Sequence, residues 1–142
     1  MNLTTEDRLE ILELVTIADN CATARDVDAY VDLFTEDAMM TGAMGEATGR
    51  DALRRNVATV WAAEPAGTLH LTLNATIIDS FEEAGVTSVM LMVTHDQPPR
   101  LLGWATVRQV VRRTAEGWRI ASRGIQAPGG IAAPRRSGDE RR

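Results

Sequence analysis

Residues 68–78 read T-L-H-L-T-L-N-A-T-I-I. In an extended chain successive side chains point to opposite faces. Leu69, Leu71, Leu73, Ala75 and Ile77 therefore fall on one side, and His70, Thr72, Asn74 and Thr76 on the other. Strict alternation marks an antiparallel strand with one face packed and one face free. The polar set uses His and Asn where solvent would be served by Lys, Glu or Arg. We therefore read that face as turned inward, toward a ligand.

The period of 2 persists downstream, with strands expected at about 68–80, 86–95, 101–113 and 117–125. Short turns at Glu82–Gly85, Asp96–Pro99 and Thr114–Gly117 join them as hairpins. Upstream the period is 3.6. Thr4 or Thr5 can cap a first helix whose apolar stripe is Ile11, Leu14, Val15, Ala18, Cys21 and Ala22. Asp26 caps a short second helix with Val27, Tyr30, Val31 and Phe34 on one face. Ala38 to Thr41 is a short strand candidate, and Gly42, Gly45 and Gly49 make the following GAMGEATG a loop. A third helix, about 50–63, buries Leu53, Val57, Val60 and Trp61. Helices first and a meander after define an α+β fold, with three N-terminal helices packed on a curved, mainly antiparallel sheet. The strand 86–93 is apolar on both faces, so its second face needs a cover, and a homodimer through the sheet is the simplest one.

The 142 residues suit one domain, expected over 1–125, followed by a Pro/Gly/Arg-rich tail over 126–142 expected to be disordered. The formal net charge is −5, and the segment 1–125 alone holds 11 Arg against 18 Asp and Glu, or −7. That acidity argues against a nucleic-acid surface, which needs a basic stripe. One cysteine, Cys21, allows no intrachain disulfide and reads as a small core residue. No apolar run reaches the roughly 20 residues of a membrane span, and the start MNLTTEDRLE has no leader pattern. A cytoplasmic protein with no membrane partner is expected.

Four stretches in order resemble the SnoaL-like branch of the NTF2-like superfamily. They are Arg25-Asp26-Val27-Asp28-Ala29-Tyr30 through Ala38, Gly49-Arg50-Asp51-Ala52-Leu53, His70-Leu71-Thr72-Leu73-Asn74, and Gly117-Trp118-Arg119-Ile120-Ala121-Ser122-Arg123. The resemblance covers roughly 5–125. It implies a cone-shaped α+β barrel enclosing one mostly apolar pocket, commonly as a homodimer. It also implies cofactor-independent acid–base chemistry of cyclase, isomerase, dehydratase or hydroxylase type on an apolar cyclic molecule, such as a polyketide or terpenoid intermediate. Members that only bind are the alternative, because fold alone does not fix chemistry.

Within that frame His70 is the candidate acid or base, since imidazole can donate and accept near neutral pH. The competing reading is a histidine tied to backbone. Asp19, on the flank of the first helix's stripe, is the candidate charge partner of His70. Asn74 and Gln109 are candidate oxyanion donors, His95 a second pocket histidine, and Trp61 and Trp104 candidate walls. Three positions where relatives carry acids hold Thr23, Gly42 and Gln109 instead, which weakens a steroid-isomerase type of reaction. No Walker loop, dinucleotide fingerprint, H-E-x-x-H or C-x-x-C is present. Neither a metal nor a cofactor is expected.

Overall fold

The helix α1, Thr5–Ala24, begins where Thr4 accepts the Asp7 amide and Asp7 accepts the Thr4 amide in return. This reciprocal cap satisfies two donors that the first turn leaves unpaired. The expected stripe of α1, Ile11 through Ala22, is buried throughout. Arg25 ends the helix in the left-handed region at φ 59°. Asp26 then caps α2, Val27–Val31, by accepting the Ala29 amide. These elements come from a computed structural model, which describes residues 2–79 and 82–128.

Strand β1 spans Phe34–Gly42 and β2 spans Gly45–Thr48, paired antiparallel as a hairpin. This corrects the sequence reading, which made GAMGEATG a loop. Gly45 at φ 86° supplies the tight reversal there. The helix α3, Arg50–Ala63, matches the expected 50–63 and follows at once. Arg50 bonds the Phe34 carbonyl through both Nη2 (2.7 Å) and Nε (3.2 Å), fixing the helix start against β1. Strands β3 (Leu69–Asp79), β4 (Glu83–Val93), β5 (Leu101–Thr114) and β6 (Gly117–Gln126) complete the meander.

The six strands form one sheet in the order β2-β1-β6-β5-β4-β3. All neighbours are antiparallel except β1 and β6, which run parallel. The sheet is curved but not closed, with β2 and β3 as its edges. Helices pack on its inner face over a core that includes Ile11, Phe34, Leu53 and Ile120, all fully buried. Among the described residues no helix is long and apolar enough to cross a membrane. Gln126 still belongs to β6; the rest of the expected tail, from 129 on, lies outside the described residues.

Two β-bulges re-aim side chains at positions that matter below. In β3, Leu73 pairs with Val89 and Thr76 with Thr87, so Asn74 and Ala75 together oppose one residue. Asn74 takes the left-handed conformation, φ 54°, found at the first residue of G1-type bulges. In β6, Ser122 pairs with Val110 and Ile120 with Val111, leaving Ala121 as the extra residue. Each bulge exchanges inward and outward faces for the remainder of its strand.

Asp7 joins α1 to the β5–β6 hairpin as well as capping the helix. Its Oδ1 accepts from Arg113 Nη2 at 2.5 Å and from the Trp118 indole at 3.2 Å. The Thr4 amide above all holds its carboxyl far below the usual carboxylate range. Partial burial opposes this, and Arg113, the Thr4 hydroxyl and Trp118 reinforce it. A carboxylate depressed on folding stabilises the protein above its unfolded pKa and loses that contribution as pH falls through the folded one. Urea midpoints should therefore drop as pH falls below about 3.8, and Asp7→Asn should be less stable at pH 7 with a shallower acid decline. An unchanged acid profile in Asp7→Asn would contradict this assignment.

Candidate functional site

Between the helices and the inner face of the sheet lies a partly enclosed cavity of about 290 Å³. Its walls are mainly apolar: Tyr30 from α2, Met40 from β1, Val57, Val60 and Trp61 from α3, Met90 and Met92 from β4, and Ile125 from β6. Asp19, Glu64, His70 and Arg123 are the ionisable groups on this lining that are not phenolic. A wider, half-open depression of about 480 Å³ lies on the outward side of the sheet around Thr41, Arg108 and Gly124. It has no buried ionisable side chain, whereas the enclosed cavity has Asp19, His70 and Arg123 buried on its lining.

His70 is 4% exposed and lines this cavity. The polar face of its strand does look inward at His70, and Thr72 follows on the same side. The backbone amide of His70 donates to Thr23 Oγ1 at 2.8 Å, tying β3 to the last turn of α1. Its ring Nε2 lies 3.2 Å from Glu64 Oε1 and 3.0 Å from Oε2. Nδ1 is buried with no hydrogen-bond partner. A carboxylate can only accept, so Nε2 carries the hydrogen, and in the neutral ring the lone pair sits on Nδ1.

Glu64 is held in turn by Arg25, whose Nη1 reaches Oε2 at 2.8 Å. Arg25 also donates to the carbonyls of Ala22 (3.3 Å) and Pro65 (3.1 Å), binding the ends of α1 and α3 together. Burial pushes the Glu64 carboxyl up, but His70 and then Arg25 outweigh it, and its pKa is lowered. The result is a chain, Arg25–Glu64–His70, ending at a buried nitrogen without a partner on a residue that lines the cavity.

Asp19 is buried and lines the cavity, but it is not the partner of His70. Its Oδ1 accepts from Arg123 Nη2 at 2.6 Å, and its Oδ2 accepts the Thr72 hydroxyl. Arg123, 3% exposed, also donates through Nη1 to Gln109 Oε1 at 3.2 Å and lies near Met90 Sδ at 3.9 Å. Burial opposes its charge, yet interaction with Tyr30 and Asp19 prevails and its pKa is raised. Gln109 is thus buried behind the cavity as a support for Arg123. The Tyr30 hydroxyl has a weak acceptor, Met40 Sδ at 3.8 Å, and its ring meets Trp61 edge-on at 5.1 Å.

The remaining candidates fall elsewhere. Asn74 is the exposed bulge residue of β3, so it cannot serve the cavity. His95 is exposed beyond the end of β4, against Gly67. Trp104 points outward from β5 and is 43% exposed. Trp61 lines the cavity. Gly42 also lines the cavity and offers no side chain there. Cys21 is buried outside the lining, with its thiol pushed up by burial and then by Asp26, which fits a core role.

The family model for the SnoaL-like domain matches residues 3–124. The chain belongs to this family. A protein of unknown function with a cystatin-like fold from Nostoc punctiforme superposes with a TM-score of 0.84 at 29% identity, covering 91% of this chain and 96% of that one. An NTF2-like protein with a cystatin-like fold from Novosphingobium aromaticivorans gives 0.76 at 25% identity, covering 89% and 85%. The protein Aln2 from a Streptomyces species shares the fold, at 0.79 and 15% identity over 89% and 94%. No curated protein matches the sequence.

Glu64 and Arg123 escaped the sequence reading of this SnoaL-like chain. Glu64 sits one turn past Val60 and beside Pro65, which reads as the frayed end of a helix. Its pairing with Arg25 becomes visible only when the ends of α1 and α3 meet.

The geometry makes a tautomer prediction. The ¹⁵N shifts of neutral His70 should report hydrogen on Nε2 and a bare Nδ1, while exposed His95 should show a solvent-averaged mixture. Glu64→Gln can donate as well as accept, so it should release that bias. A His70 ring carrying its hydrogen on Nδ1 in the parent protein would refute the arrangement.

Proposed function

We propose that this SnoaL-like domain is a cofactor-independent acid–base enzyme acting on a small, apolar, cyclic molecule held in the cavity. The observation that carries this reading is the buried, unpartnered Nδ1 of His70, a residue of the apolar cavity's lining, with Nε2 held by the Glu64 carboxylate. A base works only if its lone pair faces the substrate, and an orienting carboxylate both fixes that tautomer and favours the imidazolium formed on proton uptake. In the proposed cycle a substrate C–H or O–H gives its proton to His70 Nδ1. The charge that appears on the ring is met by Glu64, and the same proton returns to another position of the substrate. Isomerisation, cyclisation or loss of water would all begin in this way.

Hydrogen–deuterium exchange into a bicyclic ketone such as 2-tetralone in deuterated buffer tests the first step without knowledge of the natural substrate. The protein should accelerate exchange, and His70→Asn should lower the catalysed rate by roughly 10²–10⁴-fold. Glu64→Gln should give an intermediate loss. Equal rates for the parent and His70→Asn would remove His70 from the mechanism.

The second reading is a non-catalytic binding protein, favoured by the locking of Asp19 between Arg123 and Thr72, which takes one carboxylate out of use. Saturable binding of cyclic ligands with no exchange above buffer across a panel of ketones would select it.

A homodimer through the sheet is part of the proposal. On the outward face, Leu71 pairs across the ladder with Leu91 and Leu91 with Trp104, while Leu73 pairs with Val89. Leu71, Leu73 and Trp104 are each more than two-fifths exposed, so an apolar stripe crosses three strands. Stripes of this extent on a sheet mark a surface covered in the assembly. The double variant Leu91→Arg/Trp104→Glu should run as a monomer in sedimentation, where the parent runs as a dimer. A parent that sediments as a monomer at micromolar concentration would refute the dimer.

A further inference from the structure

Among the described residues, two buried polar atoms on residues that line the cavity lack partners: Nδ1 of His70 and Nε of Arg123. Buried donors and acceptors without partners are rare in folded proteins, and each one asks for an explanation. Here the two are of complementary type. Arg123 Nε–H can only donate, whereas the neutral His70 Nδ1 can only accept. A single bound molecule that answers both must bring an acceptor atom and an acidic hydrogen.

The charges around the cavity narrow the class further. Arg123 is paired with Asp19, and Arg25 with Glu64, so the two cations and two carboxylates cancel formally. Nothing on the lining calls for a ligand that arrives already charged. Yet Arg123 cannot relax its guanidinium away from an anion that forms beside it. Its two terminal nitrogens are engaged by Asp19, Gln109 and Met90, and Asp19 is itself held by the Thr72 hydroxyl. Donors fixed in place before charge develops stabilise that charge without reorganising.

We propose that Arg123 binds the oxygen of the ligand through Nε–H, and that the ligand class is an uncharged carbonyl, enol or phenol compound that becomes an oxyanion on losing its proton. The proton goes from the ligand's C–H or O–H to His70 Nδ1, and the electron pair it leaves is delocalised onto, or already resides on, the oxygen at Arg123. No oxidant or further reactant is needed. This rests on the acid–base reading of the cavity and adds to it the electrophilic partner of His70 and the polar pattern of the ligand.

The probe is 4-nitrophenol, an uncharged ring compound that changes colour when it ionises, with 4-nitrotoluene as its shape match lacking the acidic oxygen. In the complex with the parent protein the nitrophenol should ionise at least one pH unit below its free value, which is a roughly tenfold preference for the anion. In His70→Asn, which removes the acceptor of the proton, part of the preference should persist, because that part belongs to Arg123. It should vanish in the charge-neutral double variant Asp19→Asn/Arg123→Gln, which avoids stranding a buried carboxylate. A second readout needs no variant: in ¹⁵N-arginine-labelled parent protein, the Arg123 Nε–H resonance should shift more than any other arginine signal on binding 4-nitrophenolate, and stay put with 4-nitrotoluene.

Bound nitrophenol that ionises at or above its free value would overturn the proposal. So would an Arg123 Nε–H signal indifferent to the bound anion, or an anion preference lost entirely in His70→Asn. In each of those cases His70-dependent exchange into 2-tetralone could still stand, which separates failure of this inference from failure of the acid–base reading.

Discussion

One buried ion pair, Asp19 with Arg123, sets the relation between helix and sheet. Both side chains are almost wholly withdrawn from water. Charges so placed are tolerable only if each finds its partner and its remaining hydrogen bonds, and stranding one typically costs about 3–5 kcal/mol. The pair meets most of this condition by recruiting Thr72 from β3, Gln109 from β5 and Met90 from β4, and leaves Arg123 Nε unanswered. Helix α1 is thereby fixed in rotation against four strands. The His70 amide can reach Thr23, one turn along α1, because that rotation is fixed. A purely apolar contact of the same area would leave the helix freer to turn.

The second ion pair, Arg25 with Glu64, plays a different part because it is less deeply buried. Arg25 closes the ends of α1 and α3, and its left-handed backbone is what brings the guanidinium back over the Ala22 carbonyl. Glu64 is then poised to hold His70 where α3 ends, while Arg123 lines the cavity from β6. The two pairs divide the work: one orients the imidazole, the other supplies a fixed positive edge.

The fold was legible wherever the period of the sequence is unbroken. The stripe of α1 and the face of α3 from Leu53 to Trp61 each followed from spacing, and the inward sense of His70 followed from its polar strand face. Errors entered where a bulge breaks the period. By alternation Asn74 should share a face with His70, but the bulge at Asn74 and Ala75 sends Asn74 to solvent and turns Ala75 and Ile77 toward the core. By the same rule Arg123 should point away from Trp118 and Ile120, yet the extra residue Ala121 brings it inside. A bulge of this kind depends on the pairing of two strands, and neither strand announces it alone. Asp19 lies on the cavity lining but is bonded to Arg123, and that shift hides this pairing from the sequence. The β2 strand was missed since its glycines, which make the hairpin possible, read as loop.

The cavity wall holds a lesson about selectivity. Four of the chain's six methionines, Met40, Met44, Met90 and Met92, line it. Thioether chains are unbranched and soft, and they refill space around guests of different outline. A pocket walled in this way is a poor ruler of contour, since even a well-shaped apolar pocket distinguishes one methylene by only about 10–200-fold. Polar recognition is far sharper, because a guest without the right oxygen leaves buried groups unanswered. Such a pocket would accept a broad range of ring skeletons and sort them by where their heteroatoms lie.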